Sequence, residues 1–432
     1  MNTSKFSKRW IFIVPILLAI FLLRAPNQSA LARFRGEYRP SQILVQLDPL
    51  SGATIDDLNA DYSTTTLQTF SLSTNIYLLQ IPTGEDAKDF AELLNADLRT
   101  FFAEPDFIGQ TPEAHRRGIW GWGGQDPTPL GEQYALEALN IPAAHTLSQG
   151  AGTVVAVLDT GVQLDHPNLV GVLTTTGYDF VDNDPLPNDE FNGLDDEIVP
   201  GSAGGHGTHV AGIVHLTAPA AQIMPLRILD PDGRGDVSTL IEAIKYAVDH
   251  GADVINLSLG TPDKSDALKT VIRYATQNGV VVVAAAGNLE TSQKEYPAAT
   301  QCALAVTSVG PGGIKTDFAN YGKWISFAAP GEGIYSTFPI SGYAWWSGTS
   351  MAVPFVAGQA ALISSLDSSL NPRQIAMLIG GTAVSLDEIN PDFDGELGLG
   401  QPDIEASLLV LLSGNLPTSN RGLMSSSCVT TP

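Results

Sequence analysis

Fully apolar segments alternate with amphipathic segments from about Glu132 onward. Stretches such as "GTVVAVLD", "ADVINLSLG" and "GVVVVAAAGN" are apolar along their length and end in Asp, Asn or Gly. Between them, stretches such as "STLIEAIKYAVDHG" carry apolar residues at helical spacing. Strands that are apolar on both faces need cover on both faces, which parallel sheets receive from their crossover helices. The pattern therefore predicts an α/β domain over 128–412, a parallel sheet with helices on both faces, whose chemistry lies at the carboxyl ends of the strands.

A different pattern precedes this domain. Residues 33–109 read as β-α-β-β-α-β, which predicts a small α+β domain with a four-stranded antiparallel sheet. Residues 110–127, "QTPEAHRRGIWGWGGQDP", contain Gly and Pro without periodicity and predict a linker that holds a proteolytic processing site. Its Arg116-Arg117 pair is a candidate cleavage point, although dibasic pairs in linkers also occur by chance. The polar residues 413–432 predict a flexible C-terminal tail.

The first 32 residues have the pattern of a secretory signal peptide. Basic residues precede an apolar stretch of 14 residues, Trp10–Leu23, and the following polar segment ends in Ala30-Leu31-Ala32. The alternative is an uncleaved membrane anchor, but 14 residues fall short of the roughly 20 that span a bilayer. We therefore expect cleavage after Ala32, secretion, and no stable membrane insertion of the mature chain.

The charge of the chain limits its partners. A formal net charge of -24 argues against binding to nucleic acid or to anionic membrane surfaces. The two cysteines, Cys302 and Cys428, are too few for a disulfide framework or a Cys-rich zinc site, and the sequence leaves open whether they pair. We expect a monomer.

Three segments carry the groups of a nucleophilic hydrolase. A predicted strand ends at Asp159, and two apolar helices begin at His206 and Ser350. A serine hydroxyl becomes a nucleophile when an imidazole accepts its proton and a carboxylate orients that imidazole. Taken singly, Ser350 is more simply a helix cap, Asp159 a turn former and His206 a loop residue. The three together favour catalysis.

Further segments can bind the substrate. The buried strand "VVVVAAAGN" ends at Asn288, whose side-chain amide can donate to a developing oxyanion, although Asn288 alone could also form a Gly-Asn turn. One segment offers a backbone edge to an extended peptide, and another leaves room for a substrate side chain. The predicted substrate-binding residues of these two segments are Ser258, Leu259, Gly260, Ala285, Ala286 and Gly287.

An acidic segment separates the Asp159 and His206 blocks. It reads "DNDPLPNDEFNGLDDE" from Asp182 and interleaves carboxylates with Asn and Gly, which suits the oxygen coordination of calcium. A solvated acidic loop explains the same residues. The candidate ligands of a structural calcium are Asp182, Asp184 and Asp189. No organic cofactor is predicted, and the "HGTH" run lacks the glutamate of an H-E-x-x-H zinc protease.

The three catalytic segments also resemble a known family. "VAVLDTGVQLDHPNL", "GHGTHVAGI" and "GTSMAVPFVAG" are similar to the signature blocks of the subtilisin-like serine proteases, in the family's order Asp, His, Ser. The similarity extends from Glu132 to about Leu412. The resemblance implies triad roles for Asp159, His206 and Ser350, and an oxyanion hole formed by Asn288 and the Ser350 backbone N–H.

The resemblance also assigns a role to the N-terminal domain. It implies that 33–109 is a propeptide that assists folding, inhibits the enzyme from within the same chain and is removed by self-cleavage. Two other functions compete with a secreted serine endopeptidase made as a zymogen. A lipase of the α/β-hydrolase type is excluded, because the serine motif reads G-T-S-M-A and no histidine follows His250. A non-catalytic binding module on the same fold remains open.

Overall fold

The N-terminal α+β domain has the predicted order of elements in the computed structural model. The structure describes residues 36–115, 119–190, 203–340, 342–417 and 423–429, so the predicted signal peptide lies outside the described residues. The antiparallel strands have the spatial order β2-β3-β1-β4, and the two helices pack on one face of this sheet through Leu58 and Leu94. The elements are β1 (Tyr38–Leu47), α1 (Ile55–Tyr62), β2 (Thr65–Phe70), β3 (Ile76–Gln80), α2 (Ala87–Asn95) and β4 (Thr100–Gln110).

A parallel sheet forms the centre of the second domain, as the apolar strands predict. Among the described residues it has seven strands in the order β13-β12-β11-β10-β6-β8-β7, and every neighbouring pair is parallel. Its inner strands are buried along their length, which explains their continuous apolar sequence. The strands of this domain and its linker are β5 (Ile119–Gly124), β6 (Val154–Asp159), β7 (Tyr178–Asp179), β8 (Gln222–Arg227), β9 (Arg234–Asp236), β10 (Val254–Leu257), β11 (Val281–Ala285), β12 (Leu304–Val309), β13 (Phe327–Pro330), β14 (Ile334–Phe338) and β15 (Gly342–Ser347).

Helices cover this sheet, and one of them runs through the core. Helix α8 is long and apolar enough to cross a membrane, but 89% of it is buried inside the domain, as expected for a core helix. The helices are α3 (Tyr134–Ala138), α4 (Ile141–Ala144), α5 (His206–Thr217), α6 (Val237–Asp249), α7 (Asp266–Gln277), α8 (Thr349–Leu366), α9 (Pro372–Thr382) and α10 (Ile404–Leu412).

The last strand of the N-terminal domain continues into the surface of the second domain. Strand β4 pairs antiparallel with β9 from Ile108 to Gln110. Gln110 then forms an antiparallel bridge with Gly260, with N–O distances of 2.9 Å in both directions. The strand thus leads the chain from one domain along the carboxyl edge of the other domain's sheet.

Two carboxylates on β4 cap helices of the second domain. Glu104 accepts hydrogen bonds from the backbone N–H of Asp266 and Ala267 at the start of α7, at 2.8 and 3.1 Å. Asp106 accepts from the N–H and hydroxyl of Ser238 in the first turn of α6, at 2.9 and 2.6 Å. These N–H groups have no partner within their own helices, so the carboxylates stabilise both helix ends. The N-terminal domain therefore docks through charge as well as through backbone pairing.

A disulfide ties down the C-terminal segment. Cys302 and Cys428, whose pairing the sequence left open, are bonded with a Cα–Cα distance of 5.4 Å across 126 residues of sequence. Cys428 and its neighbour Met424 are buried against the domain. The described part of 413–432 therefore differs from the flexible tail that its composition predicts, because a cross-link and apolar contacts hold it.

We expect loss of this cross-link to destabilise the protein. Replacing both Cys302 and Cys428 by serine in a Ser350→Ala chain, which avoids self-digestion, should lower the free energy of unfolding by about 2–5 kcal/mol, because a long loop is released in the unfolded state. Denaturant unfolding followed by circular dichroism measures this difference. The control is the Ser350→Ala chain with both cysteines intact, and equal unfolding curves for the two chains would contradict the prediction.

Candidate active site

An acid and an imidazole meet where a strand ends and a helix begins. Strand β6 ends at Asp159, α5 begins at His206, and both side chains are fully buried. Asp159 Oδ1 lies 2.7 Å from His206 Nδ1. The close approach requires glycine at position 207, because a Cβ there would collide with the carbonyl oxygen of Gly161. The local sequence "HGTH" thus lets the helix end contact the strand end.

Ser350 lies in the first turn of α8 and is fully buried. Its hydroxyl lies 2.8 Å from Glu113 Oε2 and 3.3 Å from the carbonyl oxygen of Ser258. Gly348 precedes the helix, and a Cβ at that position would collide with Glu113 Oε1. The "SGTS" turn therefore presents the hydroxyl to the cleft and leaves room for a carboxylate beside it.

Asn288 follows β11 and points into the same space. Its Oδ1 accepts hydrogen bonds from the Thr349 N–H and hydroxyl at 2.9 and 3.0 Å. These two bonds orient the amide so that Nδ2 donates to Glu113 Oε1 at 2.9 Å. The predicted oxyanion donor is therefore held against the start of α8 and directed at a carboxylate oxygen.

Glu113 is the residue that sequence reasoning missed. It lies in a short 3-10 turn, Pro112–His115, directly after β4, and is only 6% exposed. One oxygen, Oε2, contacts both the Ser350 hydroxyl at 2.8 Å and His206 Nε2 at 3.1 Å, while Oε1 contacts Asn288. A single acid in a Gly- and Pro-containing linker carries no motif. Its only signal was its position in the segment predicted to be processed.

The carboxylates determine the protonation of His206. Burial disfavours the charged imidazole, but Asp159 and then Glu113 outweigh burial and raise the pKa of His206 to about 10. In this arrangement the imidazole is charged and its Nε2 proton points at Glu113. An imidazolium cannot accept the proton of a serine, so the arrangement opposes nucleophilic attack.

One of the predicted substrate-binding residues, Gly260, pairs with the chain that reaches Glu113. Gly260 pairs with Gln110, and Thr111 N–H donates to the carbonyl oxygen of Gly233 at 2.9 Å. This chain thus lies as an extended strand between two backbone edges of the second domain. The other residues of the two predicted segments are all buried: Ser258, Leu259, Ala285, Ala286 and Gly287.

The candidate calcium ligands do not converge in the described residues. Asp182 forms an ion pair with Arg227 at 2.6 Å, and Asp184 accepts from a backbone N–H of its own loop. Asp189 is partly buried and accepts from the N–H groups of Gly205 and Thr208 and from two threonine hydroxyls. In the part of the chain that the structure describes, no three acidic, His or Cys side chains are grouped to hold a metal.

The acidic segment extends past the described residues. Residues 191–202, with Asp195, Asp196 and Glu197, lie outside the described residues. Calcium binding by this segment stays a prediction. The partly buried Asp189 has a different role in the structure, because its hydrogen bonds join the loop after β6 to the start of α5.

A fold with a central parallel sheet, and a serine, an imidazole and a carboxylate at the carboxyl edge of that sheet, defines a serine-type hydrolase. A family model described as the subtilase family matches residues 150–400, more than half of the chain. The chain belongs to the subtilase family and is a serine endopeptidase. A second model, the fervidolysin N-terminal prodomain, matches residues 24–106, so the α+β domain is a prodomain.

Named relatives agree with this assignment. The chain is 42% identical to thermitase from Thermoactinomyces vulgaris over 58% of this chain and 89% of that protein. It is 37% identical to subtilisin BL from Lederbergia lenta over 60% and 93% of the two chains. The structure resembles fervidolysin from Fervidobacterium pennivorans, described as a keratinolytic enzyme related to subtilisin, with a TM-score of 0.72 and 26% identity. That match covers 89% of this chain and 62% of fervidolysin.

Removal of the Glu113 charge should speed activation. In Glu113→Gln, the Ser350 hydroxyl and the imidazole lose a shared anionic acceptor, and the pKa of His206 should fall because one of the carboxylates that raise it is gone. We expect the lag before proteolytic activity appears to shorten several-fold. The lag is measured by following peptide hydrolysis after refolding of the full chain. Glu85→Gln, at an exposed prodomain position, is the matched control, and an equal lag in the two variants would contradict the prediction.

The contact between Glu113 and His206 also predicts how the activation lag changes with pH. Because Glu113 raises the pKa of His206, the imidazole binds its proton more tightly with Glu113 in the site than without it. The attraction between Glu113 and the charged imidazole is complete at pH values below the pKa that His206 has without Glu113. It is lost as the pH rises towards about 10, the pKa of His206 with Glu113 in place. The activation lag of the wild type should therefore shorten with rising pH, and the lag of Glu113→Gln should depend on pH less strongly.

Proposed function

We propose that this protein is a secreted serine endopeptidase, made as a zymogen, in which Asp159, His206 and Ser350 cleave peptide bonds through an acyl-enzyme. The observation that carries the proposal is the convergence of the Ser350 hydroxyl, His206 Nε2 and Asn288 Nδ2 on one carboxylate of the prodomain. A peptide carbonyl in the same place would meet a nucleophile, a base and an oxyanion donor at once.

The first half of the reaction follows from these contacts. Once Glu113 has left, neutral His206 Nε2 accepts the Ser350 proton while Oγ attacks the peptide carbonyl carbon. Asp159, bonded to Nδ1, keeps the imidazole in the required tautomer and stabilises the imidazolium. The oxyanion accepts hydrogen bonds from Asn288 Nδ2 and the Ser350 N–H. When the tetrahedral intermediate collapses, the leaving amine takes the proton from His206 and the acyl group stays on Oγ.

Water completes the cycle. It attacks the acyl carbonyl and gives its proton to His206 Nε2, and the imidazolium then returns that proton to Ser350 Oγ as the ester bond breaks. The products are a carboxylate and an amine, and the enzyme is regenerated. Glu113 places a carboxylate where the product carboxylate would form, which supports its role as an inhibitor within the same chain.

Several features support secretion and self-processing. The N-terminal segment has the pattern of a signal peptide, and the disulfide between Cys302 and Cys428 suits an oxidising compartment. Cleavage within 110–127 would separate Glu113 from the catalytic domain or free it to leave the cleft. Arg116 and Arg117, the dibasic candidate for this cleavage, lie outside the described residues. We propose a monomer that hydrolyses protein substrates.

A serine-directed fluorophosphonate tests the proposal against a non-catalytic binding module. The processed wild type should be labelled covalently, because His206 activates the Ser350 hydroxyl, whereas Ser350→Ala should not be labelled. Ser364→Ala, a buried serine on the same helix, is the matched control and should be labelled like the wild type. Labelling is read by intact-protein mass spectrometry. Equal labelling of wild type and Ser350→Ala would remove Ser350 as the nucleophile.

Asn288 offers an independent test of the oxyanion site. Asn288→Ala should lower kcat by about 10²–10³-fold with little change in KM, because the lost hydrogen bond is strongest to the charged transition state. Peptide hydrolysis kinetics measure both constants. A melting temperature close to that of the wild type is the control, since Asn288 also accepts bonds from Thr349 at the start of α8. An unchanged kcat would rule out the oxyanion role.

A further inference from the structure

A buried carboxylate that the mechanism does not use lies behind the substrate cleft. Glu295 is 4% exposed and precedes Tyr296, whose backbone pairs with Thr261. Its side chain accepts a hydrogen bond from Asn320 Nδ2 at 3.2 Å. Buried glutamates are rare unless they are paired, so this side chain needs an explanation.

The carboxylate closes the space between the two segments predicted to bind a substrate side chain. A Cβ added to Gly260 would lie 2.8 Å from Glu295 Oε2, and a Cβ added to Gly287 would collide with Oε1. Gly260 pairs with the prodomain strand in the cleft, and Gly287 immediately precedes Asn288. Glu295 therefore lies between Ser258–Gly260 and 285–287, and a substrate side chain that entered a pocket between these segments would meet its carboxylate.

No cation is present to balance this carboxylate in the described part of the chain. The groups that act on Glu295 are its own burial, the Asn320 amide and the Glu113 carboxylate. Burial is the largest influence and raises the pKa of Glu295 to about 8. A positive charge brought into the pocket would stabilise the ionised form and satisfy the carboxylate.

The position of the carboxylate is fixed by the loop that also holds the oxyanion donor. Asn320 donates to the carbonyl oxygen of Ala286 at 2.8 Å and accepts from the Leu289 N–H at 2.9 Å, while it bonds Glu295. Glu295 and Asn288 are thus held by one network. A preorganised carboxylate discriminates more sharply between substrates than a mobile one does.

We propose that Glu295 forms the floor of the pocket for the substrate residue that precedes the cleaved bond, and that it selects lysine or arginine there. This inference rests on the proposed function. The small apolar walls cover the methylene chain of the substrate residue, and its charged end reaches the carboxylate. An uncharged residue in the same pocket leaves Glu295 without an ionic partner, so the site favours a basic residue over an uncharged one.

Matched substrates test the proposal on the self-processed enzyme obtained from the full chain. Two peptides differ only before the cleaved bond, where one has Arg and the other has Met, an uncharged residue of similar length. The wild type should hydrolyse the Arg peptide with a kcat/KM about 10-fold higher or more. Glu295→Gln should lower kcat/KM for Arg by about 10–100-fold and change that for Met by less than about threefold. Glu290→Gln, at an exposed position five residues earlier, is the matched control and should keep the wild-type ratio.

The other outcomes of this peptide test overturn the inference, the proposed function or both. A wild type that cleaves the Met peptide as well as the Arg peptide overturns the inference and leaves the proposed function intact. An equal fall for both peptides in Glu295→Gln indicates a purely structural role and also overturns it. An enzyme that cleaves neither peptide overturns the proposed function and this inference with it. If Glu295→Gln fails to fold or to process itself, the ratio of kcat/KM for the Arg peptide to that for the Met peptide still tests the inference. It is then measured on the wild type and on Glu295→Asp, which keeps the charge.

Discussion

The buried hydrogen bond between Asp159 and His206 is the interaction on which the site depends. A carboxylate without solvent is costly unless a partner compensates it, and the imidazole is that partner. The pair can form only because β6 and α5 meet at the carboxyl edge of the parallel sheet, where Gly207 permits close contact. The same edge receives Ser350 from α8 and Asn288 from β11, so the arrangement of the sheet brings the reacting groups together.

The prodomain uses this site as its point of attachment. Glu104 and Asp106 cap two helices, β4 pairs with β9, and the chain then delivers Glu113 to the reacting groups. Each contact satisfies groups of the catalytic domain that otherwise lack partners, namely helix N–H groups, a strand edge and the Asn288 amide. The prodomain therefore stabilises the structure whose candidate catalytic groups it covers, which is consistent with a zymogen.

Three carboxylates of the cleft have different surroundings. Asp159 is paired with an imidazole, Glu113 is brought in by the chain that follows β4, and Glu295 has no cation beside it among the described residues. If Glu113 leaves the cleft on activation, as we propose, His206 loses one neighbouring carboxylate while Glu295 stays in place. In these two proposals, activation and substrate choice depend on separate acidic residues of one cleft.

Local patterns in the sequence determined the fold class, because apolar strands and amphipathic helices repeat with periods that neighbouring residues reveal. They also predicted Asp159, His206, Ser350 and Asn288 as site candidates, since each lies in a motif at the end of a strand or the start of a helix. Only the tertiary structure decided which remote residues contact these candidates. Glu113 lies 237 positions from Ser350, and the disulfide joins cysteines 126 positions apart. Such contacts leave no local pattern, because they depend on how remote segments pack and not on the spacing of neighbouring residues.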